Sequence, residues 1–434
     1  MAGTIRRFDG WSAMKNEPTW RDILRGNILA MGLVSLFTDM SSEMIFPLLP
    51  IFFTGLVPVG TAALYVGLME GVAESTASLL KIISGHISDK LGKRKALVAT
   101  GYGLSTIGRP LMAVAAAGWH VVALRFLDRV GKGIRTAPRD ALISDSVDAK
   151  YRGFGFGFHR AMDHSGAIIG SLLAVAILYA QLGYGIWSGS TAAATDREMH
   201  ALRFLFGLAL IPGLLSILTI WKSVREIRPG KGIHSAKPPS ATNPSGHQKF
   251  SKRFHVFIGI LVLFALGNSS DLFIVFYAKT RFQLGLLQVI GLWITLHVSK
   301  IVFGIPGSAL SDRLGRRPLI VAGWLVYATV YLGFAGVNSG FLMFLLVAAY
   351  GVYYGLTEGA EKALVADLVP GTHRARAFGL YHGAVGIAAL PASIIFGLIW
   401  RGYGPAAAFG FGACLAGVAV ILLMVFLSLS PRSE

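Results

Sequence analysis

Apolar residues run through this 434-residue chain in long blocks separated by short polar connections. About twenty apolar residues cross the roughly 30 Å hydrocarbon layer of a bilayer as a helix. Twelve blocks reach that length, at 28–54, 61–84, 96–117, 119–138, 156–180, 200–222, 255–279, 286–307, 318–337, 340–362, 375–398 and 404–429. They lack the alternation of a transmembrane barrel strand. The pattern therefore predicts an all-α polytopic membrane protein with twelve transmembrane helices. The longest polar connection, 223–253, contains Pro229-Gly-Lys-Gly and Asn243-Pro-Ser-Gly246, a composition that predicts a flexible linker between 1–222 and 254–434.

The two halves repeat one another. Gly85-His-Ile-Ser-Asp89-Lys-Leu-Gly-Lys-Arg-Lys95 corresponds to Ser308-Ala-Leu-Ser-Asp312-Arg-Leu-Gly-Arg-Arg317, with the aspartates 223 residues apart. Ala141-Leu-Ile-Ser-Asp145 matches Ala363-Leu-Val-Ala-Asp367 at an offset of 222, and Arg152 and Gly157 match Arg374 and Gly379 at the same offset. The repeated loop, G-x-x-x-D-(R/K)-x-G-(R/K)-(R/K), resembles the signature loop of the major facilitator superfamily of transporters. That resemblance implies two six-helix repeats with a binding site between them near mid-membrane. It also implies that Gly85, Asp89, Gly92 and Arg94, with Asp312, Arg313, Gly315 and Arg316, form inter-helix contacts that hold one access state and release in the switch. Physically, glycine permits the turn and close helix approach, while aspartate can face a helix N-terminus.

Composition sharpens the membrane reading: 54% hydrophobic residues, 14% charged residues and a mean hydropathy of +0.61 lie far from soluble averages. The net charge of +18 could signal nucleic-acid binding, but the distribution argues against it. Basic residues gather at alternate connections, among them Arg6, Arg7, Lys15, Arg21 and Arg25 before the first block and Lys90, Lys93, Arg94 and Lys95 after the second. Under the positive-inside rule both termini and the linker are expected in the cytoplasm. Residues 1–25 are polar and charged, unlike a secretory signal. The single cysteine, Cys414, excludes disulfide and multi-cysteine metal sites and is expected as a small packing residue.

Ionisable side chains within apolar blocks cost several kcal/mol unless paired or wetted, and so mark candidate function. Asp39 and Glu43 share one helix face in the first block, and Glu70 and Glu74 repeat the spacing in the second. The fifth block carries His159, Arg160, Asp163 and His164, with 159/163 and 160/164 both at i,i+4. The seventh has Asp271 and the eighth His297 and Lys300. Low dielectric favours the protonated form of a carboxyl group, so Asp39, Glu43, Glu70, Glu74 and Asp163 are proton-coupling candidates. Fixed ion pairs between helices are the other reading. Arg125, His159, Arg160, Asp271, His297, Lys300, Tyr350 and Tyr354 are substrate-cavity candidates; for the tyrosines, simple packing with satisfied hydroxyls is the other reading.

Arg125-Phe-Leu-Asp128-Arg129-Val-Gly131-Lys-Gly133 resembles the superfamily's fourth-span motif R-x-L-Q-G-x-G-x-G, with Asp128 and Arg129 departing from it. The resemblance places Arg125 near the cavity; a pairing residue on the cytoplasmic side is the other reading. Gly157, Gly166 and Gly170 fit the spacing of the superfamily's antiporter motif, while Ser171 and Ala174-Val175 depart from it; close helix packing is the alternative. The stretches beginning Arg135-Thr-Ala-Pro and Thr357-Glu-Gly-Ala resemble a poorly characterised group of bacterial permeases, which assigns no substrate. Gly131-Lys-Gly133 is too short for a phosphate-binding loop.

The expectation is a secondary active transporter working by alternating access, a proton-coupled exporter of a small organic compound, cationic or amphipathic. A proton-coupled importer of a metabolite or organic anion, a divalent-metal transporter and a membrane sensor are the alternatives. No nucleophile–base arrangement points to an enzyme, and no cofactor, metal site or nucleic-acid partner is expected. A monomer in the bilayer of a bacterial inner membrane completes the expectation.

Overall fold

A computed structural model describes residues 23–183, 194–227, 250–269, 271–284 and 286–428. Within them, side chains are described except at 59–64, 66–68, 70–72, 74–75, 272, 286, 287, 427 and 428. The Glu70 and Glu74 candidates therefore lie outside the described side chains, as does most of the expected linker.

The first half comprises α1 (Gly26–Glu43), α2 (Leu49–Thr54), α3 (Val59–Leu91), α4 (Arg94–Gly108), α5 (Gly118–Asp145), α6 (Arg152–Leu182), α7 (Asp196–Leu208) and α8 (Leu210–Ser223). The second comprises α9 (Lys252–Gly267), α10 (Asp271–Phe282), α11 (Leu286–Leu314), α12 (Arg316–Gly336), α13 (Gly340–Asp367), α14 (Arg374–Tyr403) and α15 (Pro405–Ser428). These helices make up the twelve expected spans, three of which are interrupted: α1/α2, α7/α8 and α9/α10. The first break is a 3₁₀ turn, Phe46–Leu48, carrying Pro47. The third follows Asn268, whose backbone is extended. Both breaks fall at corresponding places in the two repeats.

Large apolar side chains point outward along the helices, including Trp221 (78% exposed) and Phe341 (76%), as expected of surfaces that meet lipid. Cys414 is exposed on α15, not packed inside as expected, because its side of that helix faces outward.

The halves meet mainly where α3 packs on α14 and α6 packs on α11. Glycine makes the approach possible. A Cβ on Gly85 would stand 2.3 Å from the Ala375 carbonyl oxygen, and one on Gly153 would stand 2.4 Å from that of Ser308. The connecting loops turn through Gly92 (φ +63°) and Gly315 (φ +96°), backbone that glycine adopts without a Cβ clash. The second loop is one residue shorter, since α4 begins two residues after Gly92 and α12 immediately after Gly315. Arg316, not Arg317, thereby takes the position of Arg94. The start of the expected linker folds back on the first half: Glu226 accepts hydrogen bonds from Arg94 N and Lys95 N, both at 2.9 Å, capping α4.

Candidate functional site

The repeated loops tie each half to the other. Asp89, at the end of α3, accepts hydrogen bonds from Ala375 N (3.2 Å) and Arg376 N (2.7 Å) in the first turn of α14. Asp312, at the end of α11, does the same for Gly153 N (2.9 Å) and Phe154 N (2.7 Å) in the first turn of α6. Each carboxylate meets exposed amide donors at the positive end of a helix dipole in the opposite half. Beside them, Asp145 bonds Arg94 of its own half and Arg374 of the other. Asp367 mirrors it, bonding Arg152 across the interface and Arg316 at 3.3 Å within its half. All these contacts lie at one end of the bundle, which is closed. Arg313 is exposed there, and Gly92 and Gly315 shape the turns.

Behind this layer Asp140 is fully enclosed on the axis between the halves. Arg139 Nε lies 2.9 Å from it, Lys362 Nζ 3.0 Å and His382 Nε2 2.7 Å. Asp140 and Lys362 occupy equivalent repeat positions, as do Arg139 and Glu361, so charge is reversed between the copies. Glu361 accepts from Trp324 Nε1 and Tyr381 Oη, each at 3.0 Å.

Further in, two adjoining pockets of about 200 Å³ and 190 Å³ share Asp39, Lys132, Arg135, Arg160 and Asp163 and form one charged cavity. The first half supplies most of the wall, from α1, α3, α4, α5 and α6. His297 of α11 and His382 of α14 close it from the second half. Lys81, Arg109, Arg129, Lys132, Arg135, Arg139 and Arg160 line it, against Asp39, Glu43, Asp128 and Asp163. Among the described residues the surplus is cationic, because the fourth span adds basic residues that a count of apolar blocks overlooks. The expected excess of mid-membrane carboxylate rests in part on Glu70 and Glu74, whose side chains lie outside the described ones.

Several sequence candidates converge here. Asp163 bonds Ser35 and Arg160, the latter at 3.0 Å, with His159 Nδ1 at 3.8 Å. Arg160 also reaches Glu358 of α13 at 3.5 Å, and His164 Nδ1 stands 3.2 Å from His297 Nδ1, so this layer too joins the halves. Arg160 thus pairs with Asp163 at i,i+3 instead of with His164 at i,i+4.

Other candidates lie elsewhere. Arg125 does not line the cavity: its guanidinium covers the Phe46 ring at 3.6 Å and approaches Asp128 at 3.6 Å, while Arg109 bonds Asp128 at 2.9 Å. His159 is enclosed behind Asp163 (1% exposed) and does not line it either. Asp271, Lys300, Tyr350 and Tyr354 form a separate cluster in the second half. Asp271 accepts from Lys300 Nζ (3.2 Å), Tyr350 Oη and Tyr354 Oη (3.0 Å each), and Lys300 sits 3.6 Å from the Tyr354 ring centroid. Tyr350 is fully enclosed among Tyr327, Tyr331 and Tyr353, which leaves it no cavity surface. The motif glycines pack helices: a Cβ on Gly166 or Gly170 would meet the Leu36 or Met40 carbonyl oxygen of α1 at 2.2 and 2.4 Å.

Sequence reasoning missed Asp140, Arg139, Arg109 and Lys132. Charge reversal between the repeats at 139/361 and 140/362 is the signal that could have found the first two. Among the described residues no three His, Cys, Asp or Glu side chains converge to hold a metal ion.

Comparison with known proteins agrees with this architecture. The family model of the Major Facilitator Superfamily matches residues 31–298 and 281–434. An uncharacterised MFS-type transporter of Methanocaldococcus jannaschii is 34% identical over 430 residues, covering 97% of this chain and 99% of the relative. The multidrug resistance protein MdtH of Salmonella newport is 25% identical over 339 residues, covering 78% and 77%. Among solved structures, the fucose:proton symporter FucP of E. coli superposes with a TM-score of 0.73 at 13% identity, covering 92% of this chain and 98% of that one.

Proposed function

The chain belongs to the major facilitator superfamily, and from that premise we propose that it is a secondary active transporter that carries a small organic solute by alternating access. The observation that carries this reading is the charged cavity between the halves, closed at one end by reciprocal contacts. A rocking of 1–222 against 254–434 breaks those contacts and opens the cavity to that side. Basic residues flank the closed end, and the positive-inside rule supports a cytoplasmic position for it, for the termini and for the 223–253 connection. The working unit is a monomer in the plasma membrane, the inner membrane of a bacterium.

Asp39 and Glu43 line the cavity on one face of α1, and Asp163 faces them from α6. These carboxyls take up and release protons as access alternates, coupling solute movement to the proton gradient. Similarity to a protein named for multidrug resistance favours export by proton antiport.

Vesicles reconstituted with the purified chain and loaded with a pH-sensitive dye test this. Addition of a transported solute is expected to move protons, and Asp39→Asn and Glu43→Gln are expected to abolish the movement while the protein remains folded. Solute flux that continues undiminished in both variants removes them as coupling groups. No solute-linked flux of any kind from folded protein across a broad panel overturns the transport reading.

A further inference from the structure

Four nitrogens in the cavity wall are buried with no hydrogen-bond partner among the described residues: Arg129 Nε, Arg160 Nε, His164 Nε2 and His297 Nε2. They come from α5, α6 and α11, so both halves contribute. The His164 Nε2 atom stands 3.7 Å from Glu358, beyond hydrogen-bond length. The two histidines face each other through their Nδ1 atoms at 3.2 Å. Whichever ring accepts in that contact must, when neutral, carry its proton on Nε2 and present it as a donor. A buried donor left unmade is costly, and more so when charged. Among the described residues the wall around these donors holds seven lysine and arginine side chains against four carboxylates, with Glu358 of the second half facing Arg160 and His164 from outside that lining. Two of the four are already taken: Asp128 by Arg109, and Asp163 by Arg160 and Ser35.

We propose that this cavity binds a small organic anion, whose carboxylate or phosphate oxygens are received by Arg129, Arg160 and the His164–His297 pair. The inference rests on the transporter reading and gives that reading its substrate class. Arginine supplies directed donors to planar carboxylates and to phosphate, and the histidine pair brings the second half into the same contact, so that binding joins the two halves. Protons carried by Asp39 and Glu43 remove negative charge from the wall and strengthen the same preference.

The test is isothermal titration of the purified full-length chain in detergent at constant ionic strength. The probes are succinate, benzoate, glycerol phosphate and inorganic phosphate, against choline and tetraphenylphosphonium. Saturable binding of at least one anion and of neither cation is expected, and comparison of the carboxylates with the phosphates tells which group is preferred. Arg129→Gln is expected to weaken that binding about tenfold or more, the worth of one hydrogen bond to a charged group. Arg160→Lys, which keeps the charge but lacks Nε, is expected to weaken it as well, while Lys93→Gln, on the exposed loop, leaves it unchanged. Melting of each ligand-free variant verifies its fold. Saturable binding of a cation, absence of binding by every anion, or anion binding indifferent to both arginine variants overturns the proposal. Vesicle flux separates the two claims. An anion that binds without ever moving contradicts the transporter reading and leaves the substrate class standing. A transported cation does the reverse.

Discussion

Asp140 has no solvent exposure, and its carboxylate faces three basic groups from both halves: Arg139, Lys362 and His382. Removing one member of a buried ionic cluster leaves its partners uncompensated in low dielectric, so Asp140→Asn is expected to destabilise the protein by about 3–5 kcal/mol. Unfolding in detergent, compared with the native chain, measures it; a change under about 1 kcal/mol would show that water already reaches Lys362 and Arg139. Asp39 is the contrasting case. It lines the cavity beside Glu43, and among the described residues no ion pair holds it, so Asp39→Asn should leave melting nearly unchanged and abolish flux driven by a pH gradient. Exchange of solute across vesicles without a gradient should persist in that variant. Loss of both activities together would make Asp39 a substrate contact instead. Asp39, Glu43 and Asp163 were legible in the sequence because a carboxylate in an apolar block stands out. Asp140 was not, since it follows Pro138-Arg139 at the edge of a block and reads as part of a charged connection.

At the level of helices, function depends on how closely α3 approaches α14 and α6 approaches α11. Gly85→Val places side-chain atoms against the Ala375 carbonyl oxygen, whereas Gly103 meets nothing within 4 Å. With the native thiol removed by Cys414→Ser, a reporter at Ala375→Cys is expected to react slowly with a water-soluble maleimide, because position 375 is fully buried. Adding Gly85→Val should accelerate that reaction severalfold, and adding Gly103→Val should not. Equal rates in all three proteins would mean that the closed end does not depend on this contact. Asp312→Asn weakens the charge-assisted cap on α6, which costs about 1 kcal/mol, and shifts the chain in the same direction. The helices themselves were readable from apolar length, and the repeated loop from its spacing. The interruptions within the first, sixth and seventh spans were not, because twenty-odd apolar residues look the same whether or not a turn divides them. The one-residue difference between the two loops was hidden too, since both read Gly followed by basic residues.

For the whole molecule, the repeat predicts the architecture that the chain adopts, and among the described residues many buried charges sit where the repeats meet, while others, such as Arg109 with Asp128 and Lys300 with Asp271, pair within one half. That is why the fold was legible and the site only partly so. Periodicity reports which residues share a helix, while the cavity and the charged layers beside it are joined by helices that meet from opposite halves: Arg160 with Glu358, His164 with His297, Asp140 with Lys362. Arg125 shows the same limit, since the motif places it near the cavity and the ring of Phe46 covers it. The account rests on these halves moving against each other as units, and a pair of distance measurements tests it most directly. Spin labels at Lys90→Cys and Arg313→Cys report on the closed end, and labels at Trp119→Cys and Phe341→Cys report on the opposite end, all in the Cys414→Ser background; the native residues at these positions are exposed. Across a pH change or on addition of a bound anion, the two distances should shift between two populations in opposite senses. A single unchanging distance at each end in a protein that moves solute, or both ends opening together, would contradict it.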